Sequence, residues 1–252
     1  MRFFVIDAAV AAPVHRCIRC LAAPGPPVQD VCMLDYRTRA GGPRQIIILH
    51  GFGASSADLY PLADEMDPTG RFTWHFPQAP YPISYGGSTI GRAWFPRNED
   101  EMRGAVEGIY FHRLEHMDPD GLRQAGSEVL ELARYLGADP DALVLGGFSQ
   151  GAMVAVEAFV QAGRPPADLL LYSGSVIAAD RWRERLSGMP AFGFFQSHGT
   201  ADQVLPFAGA MRLFSLLEEA GGEAELVQFD GGHGIPPEIM DRTAARLQRL
   251  QE

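Results

Sequence analysis

The sequence predicts a single α/β domain, a mostly parallel central sheet with helices on both faces. Three observations predict it. From Val31 onward, short apolar runs alternate with amphipathic stretches of helical spacing. Runs such as Leu169 to Tyr172 are apolar at every position, as in parallel strands buried between two helical layers. No linker, charge block or internal repeat divides the 252 residues, a length that one α/β domain often reaches.

Taken in chain order, Val31 to Tyr36 and Gln45 to His50 read as early strands, and Phe72 to Phe76 as a third. A helix from Asp58 to Met66 separates the second from the third. Gly121 to Leu136 carries Leu122, Val129, Leu132, Ala133 and Leu136 on one side, with Asp120 placed to cap it. Ala142 to Leu145 is a short apolar strand after the turn former Asp139-Pro140-Asp141, and Gly151 to Ala162 a helix stopped by Gly163 and Pro165-Pro166. Leu169 to Tyr172 and Phe192 to Gln196 follow as buried strands, then a helix from Pro206 to Ala220 that begins at proline and stops before glycine. Glu225 to Phe229 is the last strand and Pro236 to Gln251 the last helix.

An apolar share of 46% gives a globular chain a sizeable core, and no stretch approaches the roughly 18 apolar residues that would span a bilayer. The net charge of −10 argues against nucleic acid and anionic membrane as partners. Cys17, Cys20 and Cys32 are an odd number near the N-terminus, which fits a reducing compartment, and a cytoplasmic location is expected. The Cys17-Ile18-Arg19-Cys20 spacing lacks a second CxxC or clustered histidines, so no metal is expected. Met1 to Ile6 superficially resembles a signal sequence, but Asp7, His15 and Arg16 interrupt it, and retention is expected. Residues 1–30 form an N-terminal segment whose role the sequence leaves open.

Gly147-Phe148-Ser149-Gln150-Gly151 joins the strand at Ala142 to Leu145 directly to the following helix. A chain with 28 glycines produces GxSxG by chance often enough that this context, not the pattern, carries the inference. Strand, tight turn and helix together make a nucleophile elbow, which lifts the serine oxygen above the sheet among backbone N–H groups. A serine hydroxyl is a weak nucleophile at neutral pH and needs a base, and the base needs a group to orient it. Asp202 follows the strand at Phe192 to Gln196, and His233 follows the strand at Glu225 to Phe229, in the chain order serine, acid, histidine. His198 competes as base within the acid's own loop. Asp230 and Asp168 compete as acid, although Asp168 precedes its strand and so sits at the wrong end of the sheet. Two backbone donors must face the oxyanion. The N–H of Gln150 is one, and the loop His50-Gly51-Phe52-Gly53 supplies the other at Phe52, with His50 bracing that loop.

Leu49 to Gly53, Phe76 to Pro80, Ala93-Trp94-Phe95, Gly146 to Gly151, Ser197-His198-Gly199 with Asp202, and Gly232-His233 together resemble, in their six-part order, the phospholipase/carboxylesterase and acyl-protein thioesterase family of α/β-hydrolases. The likeness spans about residues 45 to 250. It implies an α/β-hydrolase fold, Ser149, Asp202 and His233 as triad, and Phe52 and Gln150 as oxyanion-hole donors. Residues 31–252 would then be the catalytic domain, with 77–119 a lid and pocket insertion whose Trp94 and Phe95 line the acyl site, joined by Val204. Asn98 to Glu101 and Tyr110 to His112 match nothing in the pattern. The expected activity is hydrolysis of small carboxylic esters of short to medium acyl chain, without a cofactor. An acyl-protein thioesterase or lysophospholipase uses the same residues, and a silent ligand-binding homologue is the non-enzyme alternative. Neither nucleic-acid binding nor stable membrane insertion is expected, and a homodimer stays open.

Overall fold

The computed structural model describes residues 14–15, 34–85, 87–96 and 114–250. Cys17, Cys20, Cys32 and nearly all of the N-terminal segment 1–30 lie outside these residues, as do Asn98 to Glu101 and Tyr110 to His112. Eight strands form the main sheet: β1 Val14–His15, β2 Tyr36–Arg39, β3 Arg44–Leu49, β4 Phe72–Pro77, β7 Val144–Phe148, β8 Asp168–Tyr172, β9 Phe192–Gly199 and β10 Gly222–Phe229. Their order is β1-β2-β4-β3-β7-β8-β9-β10. β1 and β2 pair antiparallel, and every pairing from β4 to β10 is parallel. The helices are α1 Leu62–Met66, α2 Asp120–Tyr135, α3 Gln150–Ala162, α4 Ala179–Leu186, α5 Phe207–Glu219 and α6 Pro237–Arg249.

Alternation along the strands explains the two covered faces. Ile47, Leu49, Leu169 and Leu171 enter the core shared with α2, α3, α4 and α5. Ile46, Ile48, Leu170 and Tyr172 point the other way, into the core under α1 and α6. α3 is buried from Gln150 to Val160, which follows from its place between the sheet and α2. The registers Leu49 with Gly147, Phe148 with Tyr172, Tyr172 with Ser197, and Phe229 with Gly199 align the C-terminal ends of β3, β7, β8, β9 and β10. The loops after these strands therefore share one edge, where open parallel sheets bind ligands.

Several boundaries differ from expectation. The strand expected at Val31 to Tyr36 is shifted to β2, Tyr36–Arg39, and residues 31–33 of its predicted span lie outside the described residues. α1 begins four residues after Asp58, because that carboxylate instead accepts hydrogen bonds from the Ser55 N–H and hydroxyl in a preceding turn. Asp120, expected as a cap, is the first residue of α2; Pro119 holds the cap position without a side-chain bond. β9 runs on through Ser197, His198 and Gly199, so His198 is a strand residue and not part of the acid's loop. The stretch expected as one loop after Pro77 contains an antiparallel hairpin, β5 Tyr81–Tyr85 and β6 Ser88–Ala93, and a 3-10 turn at Leu114–His116. α4 was not foreseen, because its sequence is dominated by charged residues around Trp182 and Leu186.

Asp168, at the start of β8, forms a two-pronged pair with Arg246 of α6, at 2.5 and 2.7 Å. Burial raises its carboxyl pKa, against the opposing pull of Arg246. The residue ties α6 to the sheet at the edge away from the aligned C-terminal ends. Arg246→Ala strands this carboxylate in the interior and is expected to cost about 3–5 kcal/mol in urea unfolding.

Candidate active site

The elbow concentrates its strain on the nucleophile candidate. Ser149 adopts φ 56 and ψ −117, left-handed backbone that costs a non-glycine residue on the order of 1–3 kcal/mol. It is held there by its N–H bonding to the Tyr172 carbonyl at 2.9 Å and by its own carbonyl accepting from Ala152 and Met153. The flanking glycines serve close approach, not unusual angles. A side chain on Gly147 would overlap the Gly151 carbonyl, and one on Gly151 would overlap the carbonyl of Leu49. Thus α3 can begin directly above the end of β3.

His233 and Asp202 meet beside this turn. The His233 Nδ1 donates to Asp202 Oδ2 at 2.7 Å, and the His233 ring packs on Phe148, the residue before the serine, with centroids 4.7 Å apart. A ring that donates through Nδ1 keeps Nε2 as its basic nitrogen. Asp202 Oδ1 accepts from the N–H groups of Val204 and Leu205, at 2.8 and 2.9 Å. Burial alone would raise the Asp202 pKa, but bonds from His198, His233 and the Leu205 N–H outweigh it and hold the carboxyl well below its usual range. The two loops lock backbone to backbone. Thr200 and Ala201 donate to the carbonyls of Phe229 and Gly231, and a Cβ on Gly199 would overlap the carbonyls of Gly231 and Gly232. Ser173, itself at φ 47, donates its hydroxyl to Gly234 and so ties down the residue after His233. Of the competitors, Asp230 is exposed and Asp168 is committed to Arg246.

The loop after β3 reaches the elbow: a Cβ on Gly51 would stand 3.4 Å from the Ser149 Cβ. His50 sets its shape. The His50 Nδ1 donates to the Gly51 carbonyl at 2.8 Å, while Nε2 accepts from the Ala79 N–H at 3.1 Å. The Gly51 carbonyl and the Phe52 N–H belong to one planar peptide, so holding the first aims the second the opposite way. Burial lowers the His50 pKa to about 4, with the Gly51 bond opposing and Arg92 adding to the shift, so the ring is neutral near pH 7. Gln150 opens α3, and its N–H has no acceptor within the helix. Its side chain bridges the Trp94 N–H and the Phe95 carbonyl, at 2.9 and 3.1 Å.

Trp94 and Phe95 sit behind this loop. Trp94 is fully buried, its indole N–H donates to the His50 carbonyl at 2.7 Å, and Phe95 is 1% exposed. Neither has open surface for an acyl chain in this structure, so they brace the loop where the sequence suggested lining. Val204, by contrast, is 47% exposed beside the acid. Arg92 is a further residue of the site for which the sequence carries little signal. Its backbone pairs with Gly53 and Ala54, and its guanidinium bonds the carbonyls of Ala79 and Pro80, fastening β6 to the loop. In the sequence it is one of two arginines flanking the Trp-Phe segment, with nothing to set it apart from Arg97.

His50 offers two measurable consequences. Replacing it with leucine leaves the Gly51 carbonyl and Ala79 N–H unpaired, and kcat for ester hydrolysis is expected to fall about 10- to 100-fold with a smaller change in KM, because the oxyanion forms only in the transition state. The unfolded chain binds a proton on histidine near pH 6.5, whereas the folded one resists until about 4. Stability from His50 is thus complete above 6.5 and declines by on the order of 3 kcal/mol as pH falls to about 4. Unfolding titrations should show this decline, and His50→Leu should remove it.

An eight-stranded, mostly parallel sheet in this order, with a strained elbow serine after β7 and an Asp-His pair on later loops, defines an α/β-hydrolase. More narrowly, the chain belongs to the phospholipase/carboxylesterase family, whose model matches residues 42–250. It is 29% identical over 214 residues to acyl-protein thioesterase 1 of Eremothecium gossypii, covering 80% of this chain and 86% of that protein. It is 24% identical over 211 residues to carboxylesterase SOBER1 of Arabidopsis thaliana, covering 75% and 83%. The crystal structure of esterase PE8 superposes with a TM-score of 0.70 at 23% identity, covering 86% of this chain and 99% of that one, a likeness of fold. Among the described residues, no helix is long and apolar enough to cross a membrane.

Proposed function

We propose that this chain hydrolyses carboxylic esters of short to medium acyl chain through a covalent acyl-enzyme. The carrying observation is the 2.7 Å bond from His233 to a buried Asp202, beside the strained Ser149. His233 Nε2 takes the Ser149 Oγ proton as Oγ bonds the ester carbonyl carbon. The resulting oxyanion is held by the N–H groups of Phe52 and Gln150. Collapse breaks the bond to the alkoxide, which leaves with the proton from His233. A water molecule then gives its proton to His233 and attacks the acyl carbon, and breaking the bond to Oγ returns the proton to the serine and frees the carboxylic acid. Trp94 and Phe95 act through His50 and Gln150, leaving Val204 and the half-buried Phe52 as apolar surface for the acyl group.

A second reading, hydrolysis of acyl thioesters on proteins, is favoured by the name of the Eremothecium gossypii relative. The same residues serve both. The deciding experiment is kcat/KM for matched oxygen esters and thioesters of increasing acyl length, with a lysophospholipid alongside. The ester reading expects the maximum on an oxygen ester of short to medium chain. A maximum on a long-chain thioester would favour the second reading, and turnover of none with no labelling of Ser149 by a fluorophosphonate would reject both.

A further inference from the structure

We propose that His198 is a positioning residue that orients the Asp202 carboxylate towards His233, an inference that rests on Asp202 serving as the acid. His198 lies on β9, is fully buried, and places Nε2 3.1 Å from Asp202 Oδ2 and 2.7 Å from the Leu205 carbonyl. Nε2 thus faces two acceptors, while the buried Nδ1 has no hydrogen-bond partner. Only a proton on Nε2 satisfies this arrangement, and His198 is a donor shared between the acid and its own loop.

The consequence for Asp202 is complete occupation. A carboxylate offers about four lone-pair positions, and here the donors are His233 Nδ1, His198 Nε2 and the N–H groups of Val204 and Leu205. Leu205 closes a ring, giving its N–H to Asp202 Oδ1 and its carbonyl to His198. The carboxylate cannot turn away from His233 without breaking bonds on both oxygens. Among the causes that lower the Asp202 pKa, the bond from His198 precedes that from His233.

The unpartnered Nδ1 separates this role from simple packing. A buried nitrogen without a partner costs stability, and here it accompanies an Nε2 that faces both the Leu205 carbonyl and Asp202. His198 also makes an edge-on contact with Phe207, centroids 6.0 Å apart, which an apolar residue could replace. Packing alone would not call for a ring with one nitrogen unpaired and the other turned to the acid and its loop.

Substitutions at His198 and Asp202 test this on the full chain with a p-nitrophenyl ester. His198→Leu is expected to lower kcat about 10- to 100-fold, the effect of losing one hydrogen bond to a charged group, with KM nearly unchanged and Tm lowered because the buried Leu205 carbonyl loses its donor. His198→Gln, whose amide nitrogen reaches the place of Nε2, should retain kcat within a few-fold. His198→Asn, too short to reach Asp202, should resemble the leucine variant and replaces it if that protein does not fold. In an Asp202→Asn background the loss from His198→Leu should vanish, because the residue acts through the acid. Unchanged kcat in the leucine or asparagine variant, equal losses in the glutamine and asparagine variants, or the same fold-loss in the Asp202→Asn background would overturn the proposal. Retained activity in Ser149→Ala or Asp202→Asn would instead strike at the esterase assignment beneath it.

Discussion

Ser149→Ala is expected to lower kcat for a p-nitrophenyl ester by about 10⁴- to 10⁶-fold, leaving only the residual acceleration from binding and the oxyanion donors. The fold should persist. Alanine keeps the Cβ and the φ of 56, the Ser149 side chain makes no cap bond to α3, and the backbone bonds to Tyr172, Ala152 and Met153 do not involve Oγ. Urea midpoints of the two proteins should therefore agree closely, while Ser149→Gly, which releases the left-handed strain, should be the more stable by about 1 kcal/mol and equally inactive. This pairing separates nucleophile from scaffold. Turnover within tenfold of the parent in either variant would show that the reaction does not begin at this serine.

What the sequence revealed follows from which interactions have a period. Leu169 to Tyr172 was legible because a strand buried on both faces has no polar residue to confuse with a loop, and the order Ser149, Asp202, His233 was legible because each follows an apolar run. The hairpin at Tyr81–Tyr85 and Ser88–Ala93 was hidden by Pro82 and by five glycine, serine and threonine residues in its second half and turn. Trp94 and Phe95 suggested an acyl pocket because aromatics in a long connection resemble a lining. Their role as braces depends on hydrogen bonds to His50 and Gln150 from residues 44 to 56 positions distant, for which a single sequence carries no signal. The strain of the elbow falls on Ser149, at φ 56. Gly147 and Gly151 are glycine because backbone approaches them too closely for a side chain, a steric need that the tight turn itself implies.

Asp202→Asn should lower kcat about 10⁴-fold, and the hydrogen bonds around the carboxylate explain why so small a change is so costly. Both oxygens face donors alone, two N–H groups at Oδ1 and two histidines at Oδ2. An amide must turn its NH₂ towards one of these pairs. If it faces Val204 and Leu205, two backbone donors lose their acceptor and the acid's loop loosens. If it faces His233, the ring must accept at Nδ1 and carry its proton on Nε2, the tautomer that cannot receive a proton from Ser149. Either outcome spares substrate binding, so KM should move far less than kcat. The acid limb of stability should change as well. Because the folded state holds the Asp202 pKa below its unfolded value near 3.9, the ionised carboxylate stabilises the protein above that pH and the contribution drains away as pH falls further. The asparagine variant has no such group, so the difference in unfolding free energy between parent and variant should be largest above pH 4 and shrink below it. A gap that widened on acidification would contradict the depressed pKa, and a kcat within tenfold of the parent would remove Asp202 from the mechanism.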